Sequence, residues 1–272
     1  MRRWIEATAW TMTPPTAYGA FHLLFLLFGV GCSAFLAYLL RRSSEKRCRR
    51  ILLVIALVLL CGETHKILFY YYVIGKGSIQ WNVFPFQLCT IPMYLCVAVN
   101  LTRRENVRDT IYTFLCTYNL MGGFLALLEP SGLSHGYWTM TLHSFIWHIL
   151  LVFIGFFLIA SGRGPKTGRD FGRATVLFLI LCIMAFTINL ICFRASNGEI
   201  NMFFVGPANN PLIVFKSIAA RFGWYTATAI YVPCVCLGAW LVNLLVKCLT
   251  YRIIRSGQIT SEEPVLVEEY VD

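Results

Sequence analysis

The chain alternates long apolar runs with short polar connections. Seven runs, at 19–40, 51–74, 81–101, 110–128, 139–160, 174–193 and 223–247, approach or exceed the roughly 20 residues that cross the apolar core of a bilayer. Almost every position inside them is apolar, so helical periodicity does not resolve their faces, and their ends are soft by a few residues. The pattern predicts an all-α, seven-transmembrane-helix bundle forming a single domain over residues 1–257. Residues 258–272, with Glu262, Glu263, Glu268, Glu269 and Asp272, read as an acidic, mobile tail. The longest connection, 194–222, carries the turn signals Gly206-Pro207 and Asn209-Asn210-Pro211. Its apolar piece, 212–220, predicts a short re-entrant or interfacial helix.

Charge then orients the bundle. One set of connections holds Arg41, Arg42, Lys46, Arg47, Arg49 and Arg50, then Arg103, Arg104 and Arg108, then Arg163, Lys166, Arg169 and Arg173, with Lys247, Arg252 and Arg255 at the last end. The opposite set has Lys76, a stretch at 128–138 without a basic residue, and then Arg194, Lys216 and Arg221. The positive-inside rule places the N-terminus outside and the C-terminus in the cytoplasm. Arg2 and Arg3 oppose this but lie well before the first run. Tyr70–Tyr72, Trp81, Tyr137-Trp138 and Trp224-Tyr225 fit an aromatic belt at the outer boundary.

Composition narrows the class. Hydrophobic residues make up 58% and charged residues 13%, with mean hydropathy +0.66, which belongs to a multi-pass protein of a cell membrane. The net charge of +10 is a topology signal here and implies no nucleic acid. The chain has 11 cysteines, most of them inside apolar runs, where a thiol is a small hydrophobe. No CxxC pair exists, and neither a metal, a cofactor nor a disulfide framework is expected. The N-terminus lacks a cleavable signal pattern.

The second run is interrupted by Cys61-Gly62-Glu63-Thr64-His65-Lys66. A charge near mid-bilayer costs roughly 2.5–3.5 kcal/mol, so these groups should face protein or a wet cavity. At about 1.5 Å per residue, Gln87, Cys89 and Thr90 lie roughly 9–14 Å below the outer boundary, and Glu63, Asn119 and His148 at comparable depths. Polar residues of separate runs thus share one layer in the outer half. Helical spacing stacks Glu63, Lys66 and Tyr70 on one face, Gln87, Thr90 and Tyr94 on another, and Thr141, Ser144 and His148 on a third. His65 turns away from Glu63, and His143 away from His148. His135 falls in an outer loop and is expected to be solvated. Pro85 and Pro92 are positioned to kink the third run and free backbone carbonyls.

Structural explanations compete for each of these residues. Glu63 and Lys66 could neutralise each other at i, i+3, or Lys66 could snorkel to the interface. His148, Gln87, Thr90 and Asn119 could hold helices together by hydrogen bonds. The chemistry open to them is acyl transfer through a His-activated Cys or Thr, general base work by His with a carboxylate, or proton relay in a transporter. No HExxH, GxSxG, Walker loop or dinucleotide fingerprint is present.

Several local patterns combine into a resemblance. Phe84-Pro85-Phe86-Gln87-Leu88-Cys89 resembles the Leu-Pro-Leu-His-Leu-Cys segment of the YwaF-like bacterial membrane proteins. Gly122-Gly123 through Leu127-Leu128-Glu129-Pro130 is similar to their glycine-rich fourth span. His148 falls at their fifth-span histidine. Asn201-Met202-Phe203-Phe204, Pro207 and Gly223-Trp224-Tyr225 are similar to their last conserved run. The resemblance covers the second to the seventh span. It implies a seven-span bundle related distantly to a phospholipid acyltransferase using Cys and His, and to intramembrane lipid hydrolases using Thr and His. The acyltransferase cysteine falls near Phe86 here, and the bacterial histidine is Gln87.

The resulting expectation is a lipid-directed acyltransferase or hydrolase site in the outer half. His148 would be general base, Cys89 or Thr90 nucleophile, and Glu63 an orienting carboxylate. Gln87, Asn119, Ser144 and Lys66 would line the polar cavity, with membrane lipids as partners and substrate. The alternatives are a small-solute transporter or channel with a polar path between helices, and a non-catalytic membrane scaffold.

Overall fold

A computed structural model describes residues 1–208 and 210–255; Asn209 and the acidic tail at 258–272 lie outside the described residues. The elements are helices: α1 Arg2–Glu6, α2 Ala20–Leu40, α3 Glu45–Phe69, α4 Ile91–Leu101, α5 Glu105–Phe114, α6 Leu120–Leu128, α7 Trp138–Ala160, α8 Gly168–Cys192, α9 Ile213–Phe222 and α10 Trp224–Arg255. A π-helical turn, Tyr70–Ile74, extends α3, and another, Leu115–Asn119, joins α5 to α6 without a break.

Among the described residues, 6 helical stretches are long and apolar enough to cross a membrane: Ala20–Leu40, Glu45–Ile74, Glu105–Leu128, Trp138–Ala160, Gly168–Cys192 and Trp224–Ile253. The run at 81–101 differs from the continuous span its hydropathy predicts. It enters as a single 3-10 turn, Trp81–Val83, followed by irregular backbone, and becomes helical only at Ile91. Pro85 is the reason on the sequence side: proline disfavours helix in the residue before it and cannot donate a helical hydrogen bond. Pro92 stands in the first turn of α4, where its missing N–H costs nothing. The run lies antiparallel to α3. Trp81 lies beside Ile67, Leu68 and Tyr71, near the end of α3. At the other end, Arg49 donates to the Asn100 carbonyl and Asn100 Nδ2 to the Arg49 carbonyl, at 2.7 and 3.0 Å.

Several helices begin earlier on the basic side than hydropathy marks. Ser44 caps α3 by accepting from the Arg47 N–H, and Thr167 and Asp170 form a reciprocal capping box on α8. That end is tied by Glu45. It accepts from Tyr112 Oη and Arg163 Nε, both at 2.8 Å, and pairs with Arg108 at 3.0 Å. The opposite end is closed by residues 1–19. Ile5 packs with Phe69 and Met140. The backbone of Trp10–Met12 bonds to that of Gly136–Trp138.

The core runs along α7, whose residues from Leu151 to Ile159 are nearly all buried against α2, α6 and the π turn. Close helix approach depends on a small residue at Gly155, where an added Cβ would meet the Leu120 side chain at 2.8 Å. The short helix predicted over 212–220 within the long loop forms as α9, Ile213–Phe222, with Ile213, Val214 and Phe222 exposed.

Candidate functional site

The break in the third run places Cys89 and Thr90 against α3 and α7. The Trp147 indole N–H donates to the Cys89 carbonyl at 3.0 Å, which ties the Cys89 backbone to α7 at the residue before His148. Thr90 Oγ1 donates to the Gln87 carbonyl (2.8 Å) and accepts from the Gln87 N–H (2.9 Å), starting α4 with its hydroxyl fully engaged. Among the described residues the Cys89 thiol makes no hydrogen bond to another residue, so it is the freer of the two nucleophiles.

His148 has a fixed tautomer. Its Nδ1 lies 2.7 Å from the Ser144 carbonyl oxygen. A carbonyl can only accept, so Nδ1 carries the proton and Nε2 presents a lone pair with no protein donor among the described residues. Both Cys89 and His148 are half-buried.

Glu63 and Lys66 form an ion pair at 2.7 Å, with side chains 3% and 18% exposed. Neither carboxylate oxygen has a further donor. Lys66 Nζ lies 6.0 Å from the Trp147 ring centroid. His143 packs on the backbone of Gly62, where a Cβ would lie 3.4 Å from the ring. It thus faces α3 rather than solvent. His65 turns away from the layer: its Nε2 meets Thr8 Oγ1 at 3.1 Å, and Thr8 already donates to the Ile5 carbonyl, so His65 is the donor.

The remaining residues hold structure. Asn119 Nδ2 donates to the Leu115 and Leu151 carbonyls, both at 3.0 Å, bridging the π turn and α7. Gln87 clamps the long loop, donating to the Asn201 carbonyl and accepting from the Phe203 N–H, both at 3.1 Å. Ser144 Oγ bonds His135 Nε2 at 3.0 Å. His135 is thereby corrected: it is half-buried and bonded, not solvated. Burial, and secondarily Lys66, holds its imidazole below the ordinary value.

Sequence reasoning missed Asn189, which is fully buried and clamps Met202 through both amide atoms, donating at 2.9 Å and accepting at 2.6 Å. A lone amide inside an apolar run was the available signal. The clamps from Gln87 and Asn189 insert Ile200–Phe203 into the bundle and hold Phe203 and Phe204 at positive φ (54° and 58°), a conformation costing about 1–3 kcal/mol for such residues. Trp147 also went unremarked in the sequence; it holds the Cys89 backbone carbonyl.

These features define a polytopic α-helical membrane protein with a polar layer enclosed where one element is broken. The TMEM164 family model matches residues 17–243, and the chain belongs to that family. No curated protein and no solved structure matches it.

Proposed function

We propose that this TMEM164 family member is a lipid-directed acyltransferase or hydrolase of a cell membrane, with seven crossings, the N-terminus outside and the site in the outer half. The observation that carries this reading is His148. A neutral imidazole with Nδ1–H fixed on a carbonyl and Nε2 free is poised as a general base. The YwaF-like resemblance supplies the expectation of acyl chemistry on membrane lipids.

In this reading His148 Nε2 takes the proton of the Cys89 thiol. The thiolate attacks the ester carbonyl of a phospholipid, the ester C–O bond breaks, and the leaving alkoxide takes the proton from His148. The acyl group then sits on Cys89 as a thioester. A lysolipid hydroxyl or water gives its proton to His148 and attacks the thioester, and Cys89 leaves as a thiolate that recovers that proton. Lys66 stabilises the negative charge that develops on sulfur or on the carbonyl oxygen, and Glu63 holds Lys66 in place.

The test is lipidomics of cells lacking the protein, complemented with wild type, His148→Ala or Cys89→Ala. The reading expects an acyl-chain change on deletion that wild type reverses and neither variant does. An unchanged lipid profile on deletion overturns it.

The broken third element also favours a second reading, a small-solute transporter. Discontinuous elements with exposed carbonyls at membrane depth are the usual form of transporter sites. Solute uptake in proteoliposomes that survives His148→Ala would support it.

A further inference from the structure

A second lipid-facing site lies at the basic end, remote from His148. A groove of about 350 Å³ runs between α4, α5 and α8, lined by Leu95, Asn106, Val107, Thr110, Ile111, Arg173 and Leu177. Its polarity is ordered along its length. Asn106 and Arg173 stand near the starts of α5 and α8, while Ile111 and Leu177 stand one helical turn further in, at i+4 from Val107 and Arg173. Leu95 of α4 closes the apolar end. A polar mouth at the helix starts and an apolar slot pointing into the bundle is the order of a lipid headgroup and its chain.

Charge selects among lipids. Among the described residues Arg173 has no ion pair or hydrogen-bond partner. The neighbouring carboxylates are mostly committed: Glu45 to Arg108 and Arg163, Glu105 to Arg108, and Asp170 to the N–H groups of Lys166 and Thr167. Asp109 stands among Lys166, Arg108, Glu105 and Asp170. Arg103, Arg104 and Arg169 add positive charge to the same segments. A guanidinium left free at the mouth of an apolar groove matches a phosphodiester, which it binds through paired N–H donors.

We propose that this groove binds an anionic glycerophospholipid of the leaflet at the basic end, with Arg173 on the phosphate and one chain along Leu95, Ile111 and Leu177. The site does not depend on acyl chemistry at His148.

Native mass spectrometry of the full chain in detergent tests it, with phosphatidylglycerol and phosphatidylcholine of identical chains as probes. Wild type should retain phosphatidylglycerol in preference to phosphatidylcholine. Arg173→Gln should weaken phosphatidylglycerol binding about fivefold, the equivalent of roughly 1 kcal/mol per basic residue at a membrane surface. Arg50→Gln, at the same end but outside the groove, should change it by no more than about twofold. Leu177→Trp, which fills the slot, should reduce binding of both lipids, and it keeps the test open if Arg173→Gln does not fold. Equal retention of the two lipids by wild type overturns the proposal. So does wild-type binding of phosphatidylglycerol by a folded Arg173→Gln or by Leu177→Trp.

Discussion

The indole nitrogen of Trp147 donates to the carbonyl oxygen of Cys89 at 3.0 Å. This bond joins α7 to the irregular segment of the third element and puts a thiol beside the helix that carries His148. Without it the carbonyl would be a buried acceptor with no partner. Trp147→Phe keeps the ring packing and removes the donor. We expect a loss of about 1–3 kcal/mol, as for other orphaned buried acceptors, together with faster alkylation of Cys89. Thermal melting and peptide mapping after maleimide labelling measure the two effects. Unchanged labelling would show that the bond does not position Cys89.

The Glu63 carboxylate is buried, and Lys66 is its counter-charge among the described residues. Lys66→Met leaves a carboxylate without its counter-charge and should cost about 3–5 kcal/mol. Glu63→Leu combined with Lys66→Met should be milder than Lys66→Met alone, because no buried charge remains. Melting temperatures of the two variants decide this. A double variant less stable than the single would refute it.

Asn189 holds Met202 through two hydrogen bonds. Asn189→Ala removes both and frees the inserted segment, with an expected loss of about 2–3 kcal/mol at roughly 1–1.5 kcal/mol per bond. Limited proteolysis should show new cleavage between residues 194 and 212. Resistance equal to wild type would mean that Gln87 alone suffices to hold the loop.

His135 gives a pH dependence. Burial lowers its folded-state imidazole below the ordinary value near 6.5, so the unfolded chain binds the proton more readily. Its contribution to stability is complete above about pH 6.5 and declines as pH falls toward the lower folded value. The difference in melting temperature between wild type and His135→Gln should therefore shrink from pH 7.5 to about pH 5. A difference that is flat across that range would contradict the assignment.

Much of the fold was legible because bilayer-crossing helices must be long and apolar. The runs ending at Leu40, Leu128 and Ala160 closed where hydropathy predicted. The facing of Glu63 with Lys66, and the turning of His65 away from them, followed from helical spacing. What spacing could not supply was the fate of the run at 81–101. Its hydropathy is that of a span, but Pro85 and the bonds made by Thr90, Trp147 and Gln87 replace the helical ladder over its first half.

The sequence by itself determined the class of the molecule, its apolar elements, the basic end, and the polar residues that interrupt those elements. Those are one-dimensional properties, set by the cost of placing charge and backbone in hydrocarbon. Tertiary structure decided which of those polar residues remain free. Thr90 and Gln87 are satisfied by carbonyls and N–H groups that folding brings near, and Asn119 Nδ2 is engaged by the Leu115 and Leu151 carbonyls. His148 keeps one nitrogen open because its other nitrogen meets the Ser144 carbonyl, and the Cys89 backbone is tied to α7 by the Trp147 indole.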